Sequence, residues 1–363
     1  MRIAYVSLHW PRTISSGVGK KITRQIGAWR AAGHEVDLFM HTVHRQLDAP
    51  LIPGKTFLYR SGGMAGEWQR ISAVHQLLKA VQFYHPNIIY LRYGMYVYPI
   101  HRLANVAPLV EELNTNDLSQ HERLGSLYDL YNRSTRGLIL KRTSGLICMS
   151  NELARSPSNA AFRKPTLVIG DSIDLDNIPP LPAPQNIQPR VVFIGSPDSP
   201  WQGVDKLIAL ASRFPDISIH LIGYDQIDGY TSLPDNLHLY GYLDKMQYTK
   251  ILRTMDCAIS SLALHRIHLT ESSPLKTREC LALGLPIVLP YKDTDLDHLN
   301  CKFLLKIPNK EDNIQTHGEA IRDFAYQMRG QRADREILAG LIDSKYKEQK
   351  RLSFFSEILQ TAH

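Results

Sequence analysis

Residues 265–291 hold the densest set of side chains that could do chemistry in this 363-residue sequence. Two glutamates, Glu271 and Glu279, are separated by seven residues, and Lys276 lies between them. On a helix, Lys276 and Glu279 share one face because they are three residues apart. A lysine beside a helix N-terminus can bind phosphate, and a carboxylate on that face can accept hydrogen bonds from two vicinal hydroxyls, such as those of a ribose. The same pattern also suits an ordinary amphipathic helix with a Lys–Glu pair at its surface.

Local signals predict where this helix begins and ends. Ser273 is a good N-cap, Pro274 suits the first helical position, and Gly284 suits the position just after the last turn. We therefore expect a helix over residues 274–283, directly after an apolar strand at 256–262 and its loop. The positive end of that helix would point toward the ligand.

A second candidate ligand loop follows the first strand of the chain. Gly17 and Gly19 stand in the segment SGVGKK and open a predicted helix, so backbone N–H groups and the helix dipole could face an anion there. The loop is not a P-loop, because Ile14 stands where the first glycine is needed and Lys21 stands where Ser or Thr would follow the lysine. It also lacks the third glycine of a dinucleotide-binding motif, and a plain structural turn is the alternative.

The elements that must position these loops form two rounds of alternating strands and helices. Short apolar runs are typical of buried parallel strands, and they occur at 3–8, 35–40, 56–59, 87–93, 108–113, 145–150 and 166–170, then at 190–196, 218–224, 237–243, 256–262, 286–291 and 302–307. Between the two rounds, residues 179–189 contain five prolines, which favour neither sheet pairing nor a helix. We therefore expect an α/β fold in which two Rossmann-like βαβ domains face each other across a cleft.

The domain boundaries follow from the same pattern. We expect an N-terminal domain over 1–178, a Pro-rich linker over 179–189, a C-terminal domain over 190–340 and a C-terminal helix over 341–363 that packs back on the N-terminal domain. The first helix should end at Gly33. In open parallel sheets, ligands bind outside the carboxyl ends of the strands, so the site should lie in the loops that follow strands.

Composition narrows the class of protein. Apolar residues make up 44% and charged residues 21%, which is typical of a globular chain. The four cysteines, at 148, 257, 280 and 301, lack metal-ligand spacing, which argues against a disulfide framework or a zinc site and fits a reducing cytosol. The sequence shows no signal-peptide pattern and no apolar run of about 18 residues that would span a membrane.

The net charge of +7 is carried by one half of the chain. Residues 1–178 hold 21 Lys and Arg against 13 Asp and Glu, whereas residues 179–363 hold 21 against 22. A basic domain suits an anionic membrane surface or an acidic substrate, and residues 133–142 combine four basic residues with an apolar helix face. We expect a cytoplasmic protein with peripheral contact to the inner face of the plasma membrane; a basic solvated surface is the alternative. Nothing resembling a nucleic-acid module is present.

Taken together, these segments resemble the GT-B glycosyltransferases of family 4. The spacing of Glu271 and Glu279 is similar to the E-x7-E motif of that family. MRIAYVS, the SGVG loop, GHEVDLF at 33–39 and GLICMSNELAR at 145–155 look like its N-terminal domain. FIGSPDSPWQGVDKL at 193–207, LPDNLHLYGYL at 233–243 and SPLKTRECLALGLPIV at 273–288 look like its donor domain. The resemblance covers nearly the whole chain in the right order; it is specific for the family and weak for the substrate.

The resemblance implies a retaining, metal-independent hexosyl- or related glycosyltransferase that needs no cofactor and takes a UDP- or GDP-sugar as its donor. The acceptor would be a glycan or a lipid-linked precursor in the synthesis of cell-surface polysaccharide or glycolipid. Glu279 would bind the ribose hydroxyls, and Glu271 would hold the donor sugar as one of two catalytic residues, the other being Lys276. The other implied donor-binding residues are Gly17, Gly19, Gly195, Ser196, Tyr242, Leu243, Ser272, Ser273, Pro274 and Leu275.

The sequence departs from the family at the positions that hold the diphosphate. Many members carry Arg or Lys after the FIG-like strand and a Lys in a following KG pair. Here those positions are Ser196 and Gln202. We therefore expect Lys276 to supply the missing charge.

Other polar residues are candidate contacts to the sugar or the acceptor. Many family members carry a His after the strand that here reads APLVEELNTND, where this chain has Glu112 and Asn114 in an E-x-N pattern. His265 and Arg266 precede Glu271 in its loop and are further candidates. The segment 293–295 looks like the DxD metal motif of a different glycosyltransferase architecture; we expect a solvated loop there and no metal.

Two other functions stay open. A sugar-nucleotide epimerase of the same fold would bind the same donor without an acceptor. A catalytically silent scaffold subunit would suit the lack of cations at positions 196 and 202, whereas the presence of Glu271, Lys276 and Glu279 argues against it.

Overall fold

The computed structural model describes residues 1–10, 16–44, 54–197 and 199–361. The chain divides into two compact units, which we call unit 1 (Met1–Gly170 with Ser344–His363) and unit 2 (Asp171–Asp343). Each unit is built on one parallel sheet. The expected α/β architecture of two Rossmann-like domains is therefore confirmed.

A seven-stranded parallel sheet forms the centre of unit 1, in the order β3-β2-β1-β4-β5-β6-β7. Its strands are β1 (Arg2–Ser7), β2 (Glu35–Thr42), β3 (Gly54–Leu58), β4 (Ile88–Arg92), β5 (Leu109–Leu113), β6 (Gly145–Cys148) and β7 (Thr166–Val168). They match the seven predicted apolar runs, and the nearly complete burial of strands such as β1 explains why those runs do not alternate with polar residues. The strand order reverses between β1 and β4, which makes a switch point there.

A six-stranded parallel sheet forms the centre of unit 2, in the order β10-β9-β8-β11-β13-β15. Its strands are β8 (Arg190–Ile194), β9 (Ser218–Ile222), β10 (Leu237–Leu239), β11 (Cys257–Ile259), β13 (Ile287–Leu289) and β15 (Leu304–Lys306). The sequence pattern did not predict a separate pair, β12 (Glu271–Ser272) with β14 (Lys292–Asp293), because two residues are too short to show a period. The switch point of this sheet lies between β8 and β11.

Helices connect the strands of both sheets. Unit 1 contains α1 (Gly17–Ala31), α2 (Gly63–Tyr84), α3 (Asp117–Leu124), α4 (Ser126–Leu140), α5 (Asn151–Arg155), α6 (Pro157–Ala160) and α12 (Ser344–Thr361). Unit 2 contains α7 (Val204–Arg213), α8 (Lys245–Leu252), α9 (Leu275–Ala282), α10 (Asn313–Gln327) and α11 (Arg335–Ile342). None of the helices in the described ranges combines the length and the apolar character that crossing a membrane would need.

Helix α1 ends where its sequence predicts. Gly33 has a φ of +83°, which favours glycine, and its N–H donates to the carbonyl of Arg30. The N–H of His34 donates to the carbonyl of Trp29, which completes a Schellman motif.

The Pro-rich segment 179–189 lies within unit 2, because the boundary between the units falls earlier, between Gly170 and Asp171. The side-chain amide of Asn186 anchors the segment by donating to the carboxylate of Asp256 at 2.8 Å. Its prolines keep the backbone out of helix and sheet, while side-chain hydrogen bonds hold it on the unit.

Helix α12 belongs to unit 1 and packs against α1. Phe354, Phe355 and Ile358 lie in the same apolar core as Trp29. The indole N–H of Trp29 also donates to the carboxylate of Glu348 at 2.7 Å. The last helix thus completes the core of the unit that contains the first strand.

Candidate active site

The carboxyl ends of β8 and β11 form the switch point of the unit 2 sheet, where doubly wound sheets bind their ligands. The loops that follow β8, β9 and β10 are joined by backbone hydrogen bonds. Gly195 N–H donates to the carbonyl of Ile222, and Gly223 N–H donates to the carbonyl of Gly241. A Cβ atom at Gly223 would lie 2.1 Å from the carbonyl oxygen of Gly195, so glycine is required for this approach.

Ser196 and Gln202 form an internal pair in the loop after β8. Gln202 is only 7% exposed, and its amide accepts from the N–H of Ser196 and donates to the carbonyl of Ser196, both at 3.3 Å. Tyr224 Oη donates to the same carbonyl at 2.7 Å. These two positions fix the loop and supply no cation.

Lys276 brings a positive charge to the end of β8. Its Nζ donates to the carbonyl of Ile194 at 3.0 Å and lies 4.6 Å from the centre of the Phe193 ring. Burial lowers the pKa of the Lys276 ammonium from 10.5 to about 8, because the surrounding protein excludes the water that stabilises the charge. Within the ranges that the structure describes, no carboxylate pairs with this ammonium.

Helix α9 begins one residue later than predicted, with Pro274 as the N-cap. No side chain caps its first N–H groups, because proline has no side-chain acceptor. The expected N-cap, Ser273, has a different role: its Oγ accepts from the N–H of Asp171 at 2.8 Å and from the guanidinium of Arg278. The other end agrees with the prediction, since Gly284 has a φ of +82°.

The two glutamates of the motif lie on either side of this helix start. Glu271 and Ser272 form β12, whose pairing with β14 fixes the segment just before α9. Glu279 lies one turn beyond Lys276 on α9, and both side chains are half-buried. Leu275 is the first residue of the helix. Of the predicted residues in this segment, Lys276 is the one with a recorded contact to the end of β8 in the described part of the chain.

A triangle of hydroxyl groups attaches α9 to the sheet. Ser260 Oγ lies 3.0 Å from Thr277 Oγ1 and 2.7 Å from Tyr291 Oη, and Thr277 lies 3.0 Å from Tyr291. These residues follow β11, lie on α9 and follow β13, respectively. The helix is thus fixed against the carboxyl ends of two central strands.

Arg278 is completely buried and holds the segments on both sides of α9. Its guanidinium donates to both carboxylate oxygens of Asp293 at 2.7 and 2.8 Å and to Asp295 at 2.6 Å. Its Nε donates to the carbonyl of Asp171 at 3.0 Å. The expectation of a solvated loop at 293–295 is wrong, because Asp293 is 1% exposed and both carboxylates bind this arginine. We call these residues, with Ser273, the Arg278 cluster.

His265 and Arg266 are engaged in a different ion cluster. Arg266 donates to both carboxylate oxygens of Asp205, at 2.8 and 2.7 Å, and to Glu311. His265 Nε2 lies 2.6 Å from the Glu311 carboxylate. These bonds attach the loop before Glu271 to α7 and to the segment before α10, so the polar atoms of both candidates are used within unit 2.

Tyr242 and Leu243 lie in the loop after β10, as expected. The Tyr242 side chain is 78% exposed, whereas Leu243 packs against the core of unit 2. This loop is joined to the loop after β9 through the backbone of Gly241. It therefore lies at the same edge of the sheet as Gly195 and Ser196.

Unit 1 gathers charged side chains at the carboxyl ends of β4 and β5. Glu112 is completely buried and lies 3.2 Å from Lys21 Nζ, 3.1 Å from Arg92 Nη1 and 3.8 Å from Arg351 Nη2. Burial alone would raise the pKa of Glu112, but the three cations outweigh burial and hold that pKa well below its usual range. Asn114 accepts from Lys21 at 2.9 Å and from Arg92 at 2.8 Å. Glu112 is thus an ionised centre that holds three basic side chains and Asn114.

The glycine loop of unit 1 leads into the same region. Ser16 caps α1, and its Oγ accepts from the N–H of Gly19 at 3.1 Å. Gly17 is the first residue of the helix, and Lys21 follows one turn later. Ile14, which excluded a P-loop, lies outside the described residues.

Sequence reasoning missed the roles of Arg92, Arg351 and Arg278. Arg92 lies near the end of the predicted strand 87–93 and is the last residue of β4, so its place at a strand end could have marked it as a candidate. No local spacing in the sequence could reveal the roles of Arg351 and Arg278. Arg351 meets Glu112 from the last helix, and the carboxylates that bind Arg278 follow a later strand.

No family model and no curated protein matches the chain. Solved structures match it over almost its whole length. It is similar to a sucrose-phosphate synthase from Thermosynechococcus elongatus (TM-score 0.65, 15% identity, 99% of each chain) and to the apo form of the lipopolysaccharide outer core galactosyltransferase WaaB (0.70, 11%, 98% of this chain and 100% of that one). It is also similar to an alpha-glucosyltransferase in complex with UDP-glucose and DNA (0.61, 14%, 98% and 99%). At these identities the likeness shows the fold, which is the GT-B fold of glycosyltransferases.

We expect UDP binding to weaken as the pH rises through about 8, because the Lys276 ammonium loses its proton there and with it the charge that attracts a diphosphate. Affinity should fall by up to about tenfold per pH unit above that point. Titration calorimetry from pH 6.5 to 9.5 measures the effect. Lys276→Arg is the control, because a guanidinium stays charged throughout and should flatten the profile. If UDP affinity depends on pH in the same way for both proteins, the Lys276 ammonium does not contribute to UDP binding.

Proposed function

We propose that the chain is a retaining, metal-independent glycosyltransferase that moves a sugar from a UDP- or GDP-sugar to a glycan or lipid-linked acceptor. The position of Lys276 carries the proposal. Its ammonium lies against the end of β8, beside an uncapped helix N-terminus, and two glutamates of an E-x7-E pattern lie on the same segment. The names of the similar structures, which include a galactosyltransferase and a glucosyltransferase, support the same class of reaction.

In this proposal the donor diphosphate lies against Lys276 and the first N–H groups of α9. The ammonium and the helix dipole both favour negative charge there. Glu279 accepts hydrogen bonds from the ribose hydroxyls, and Glu271 holds the donor sugar together with the backbone of 272–275. The remaining proposed donor contacts are Gly17, Gly19, Gly195, Ser196, Tyr242 and Leu243.

Transfer in such a site depends on positioning and charge stabilisation. As the bond between the anomeric carbon and the diphosphate oxygen breaks, negative charge grows on the leaving group, and Lys276 stabilises it. The leaving phosphate takes the proton of the acceptor hydroxyl, and the acceptor oxygen bonds to the same face of the sugar. The anomeric configuration is therefore retained without a protein nucleophile or a cofactor.

The acceptor is proposed to meet unit 1 at the carboxyl ends of β4 and β5. Glu112 is completely buried there, so its role is to hold Lys21 and Arg92 in place. The half-buried side chains of this group, Lys21, Arg92 and Asn114, are the proposed acceptor contacts.

Glu279→Ala should fold normally and bind UDP or GDP about tenfold more weakly or worse, because a hydrogen bond to a charged acceptor contributes roughly 1.5–3 kcal/mol. Titration calorimetry with both nucleotides measures the loss. Glu336→Ala, at an exposed position on α11 of the same unit, is the matched control and should bind like the wild type. Equal nucleotide affinity in the Glu279 variant and the wild type would contradict the assignment.

The two other candidate functions give different results with a radiolabelled donor. A glycosyltransferase transfers label only when an acceptor is present, whereas an epimerase converts the donor without one. A scaffold subunit converts nothing and need not bind a nucleotide.

We propose in addition that unit 1 makes a peripheral contact with the cytoplasmic face of the plasma membrane. Arg136, within the basic stretch 133–142, is buried against Asp117 and so is not available to lipid. Exposed apolar side chains lie earlier on α4, where Leu127 is 80% and Leu130 is 64% exposed. Lys141 and Arg142 provide positive charge just beyond the end of this helix, whereas Arg133 pairs with Asp129.

The full chain should therefore sediment with vesicles that contain phosphatidylglycerol, and high salt should release it. Each exposed Lys or Arg near an anionic bilayer contributes about 1 kcal/mol, which gives reversible binding. The double substitution Leu127→Gln with Leu130→Gln should reduce co-sedimentation, while Ile337→Gln on α11 should not. Binding that ignores lipid charge would favour a soluble acceptor.

A further inference from the structure

A pocket of about 610 Å³ lies over one face of the unit 2 sheet and extends from Arg190 and Ser218, at the amino ends of β8 and β9, to Tyr240 just after β10. Residues 185–188 of the Pro-rich segment form one wall. The other wall is polar and consists of Arg190, Ser218, His220, His238 and Tyr240.

These side chains lie on one face of three neighbouring strands and their ends. Arg190 of β8 is the register partner of Ser218 on β9, and His220 of β9 is the partner of His238 on β10. On the other face of β9, Ile219 is completely buried in the apolar core. Burying polar side chains in a sheet lowers the free energy of unfolding unless these side chains are hydrogen-bonded. The polar wall of this pocket therefore needs a chemical explanation.

Four of the side chains form a continuous hydrogen-bonded chain. Tyr240 Oη lies 2.8 Å from His220 Nδ1, and His220 Nε2 lies 3.0 Å from Ser218 Oγ. The same Ser218 Oγ lies 3.1 Å from His238 Nε2. Burial, with smaller effects from His238 and Arg190, lowers the pKa of His220 to about 3, so this imidazole is neutral at physiological pH.

When both imidazoles carry one proton and all the hydrogen bonds run in one direction, such a chain leaves one donor at one end. If Tyr240 donates to His220, then His220 donates to Ser218, Ser218 donates to His238, and His238 carries its remaining proton on Nδ1. If every bond runs the other way, the hydroxyl hydrogen of Tyr240 is left over. In both arrangements the chain can offer one N–H or O–H group to a ligand.

Arg190 supplies the charge that such a ligand would need. In the ranges described, its guanidinium forms no ion pair with any carboxylate. It lies close enough to lower the pKa of both His220 and Tyr240 through its positive charge. A guanidinium with nearby neutral donors is a typical partner for the oxygen atoms of a phosphate.

We propose that this pocket binds the phosphate group of a small phosphorylated metabolite, such as a sugar phosphate, at a site separate from the donor site. Arg190 pairs with the phosphate, and the Tyr240–His220–Ser218–His238 chain donates a further hydrogen bond. The volume exceeds that of a phosphate alone and falls within the range of about 300–1,000 Å³ that is usual for small-molecule sites, so it has room for an attached sugar.

The test is calorimetric titration of the full chain with glucose 6-phosphate, with glucose and a matched salt solution as controls. The wild type should bind glucose 6-phosphate and not glucose. Arg190→Gln should weaken binding about tenfold or more, because it removes the paired charge. Arg253→Gln, an exposed arginine on the same unit outside this pocket, should have no effect.

Competition distinguishes this pocket from the donor site. Saturating UDP should leave glucose 6-phosphate binding unchanged, and Glu279→Ala should also leave it unchanged. The proposal is overturned if glucose 6-phosphate does not bind, if Arg190→Gln binds it as well as the wild type, or if UDP displaces it. These outcomes do not depend on whether the chain transfers sugar.

Discussion

A single buried guanidinium, that of Arg278, orders the part of unit 2 that bears the E-x7-E motif. It joins the backbone of Asp171 at the start of the unit, the hydroxyl of Ser273 before α9, and the carboxylates of Asp293 and Asp295 after β13. Removing one partner of such a buried pair typically costs about 3–5 kcal/mol, because the other charge is left without compensation. The short β12–β14 pairing, and with it the position of Glu271, depends on this arrangement.

The same physical principle operates in unit 1. There a buried carboxylate, Glu112, holds Lys21, Arg92 and Arg351, and Arg351 also pairs with Glu348 of the last helix. In both units, a completely buried ion holds segments at the carboxyl ends of central strands, and its half-buried neighbours are the side chains that we propose as ligand contacts. Ser196 and Gln202 stabilise the loop after β8, and Lys276 of α9 brings a positive charge to the end of the same strand. In our proposal, Lys276 takes the place of the cations that are missing at positions 196 and 202.

The fold and the position of the helix that carries Lys276 and Glu279 could be predicted from the sequence because their signals are local. Continuous apolar runs marked all strands of both large sheets, and Gly33 and Gly284 marked helix ends. The N-cap of α9 differed from the prediction because the Ser273 hydroxyl accepts from the distant N–H of Asp171, a tertiary contact that outweighs its local preference, and also from Arg278. The ion clusters could not be predicted, because their partners come from distant elements and no spacing connects them.

The central claim is that Arg278 organises the segment that we propose binds the donor, without touching the donor itself. The most direct measurement is the UDP dissociation constant of Arg278→Lys, with its melting temperature recorded alongside and Asp295→Asn as a milder variant of the same cluster. A lysine can keep one pair with Asp293 but cannot hold the other partners, so the account predicts a folded, less stable protein that binds UDP about tenfold more weakly. Folded variants that bind UDP as tightly as the wild type would contradict it.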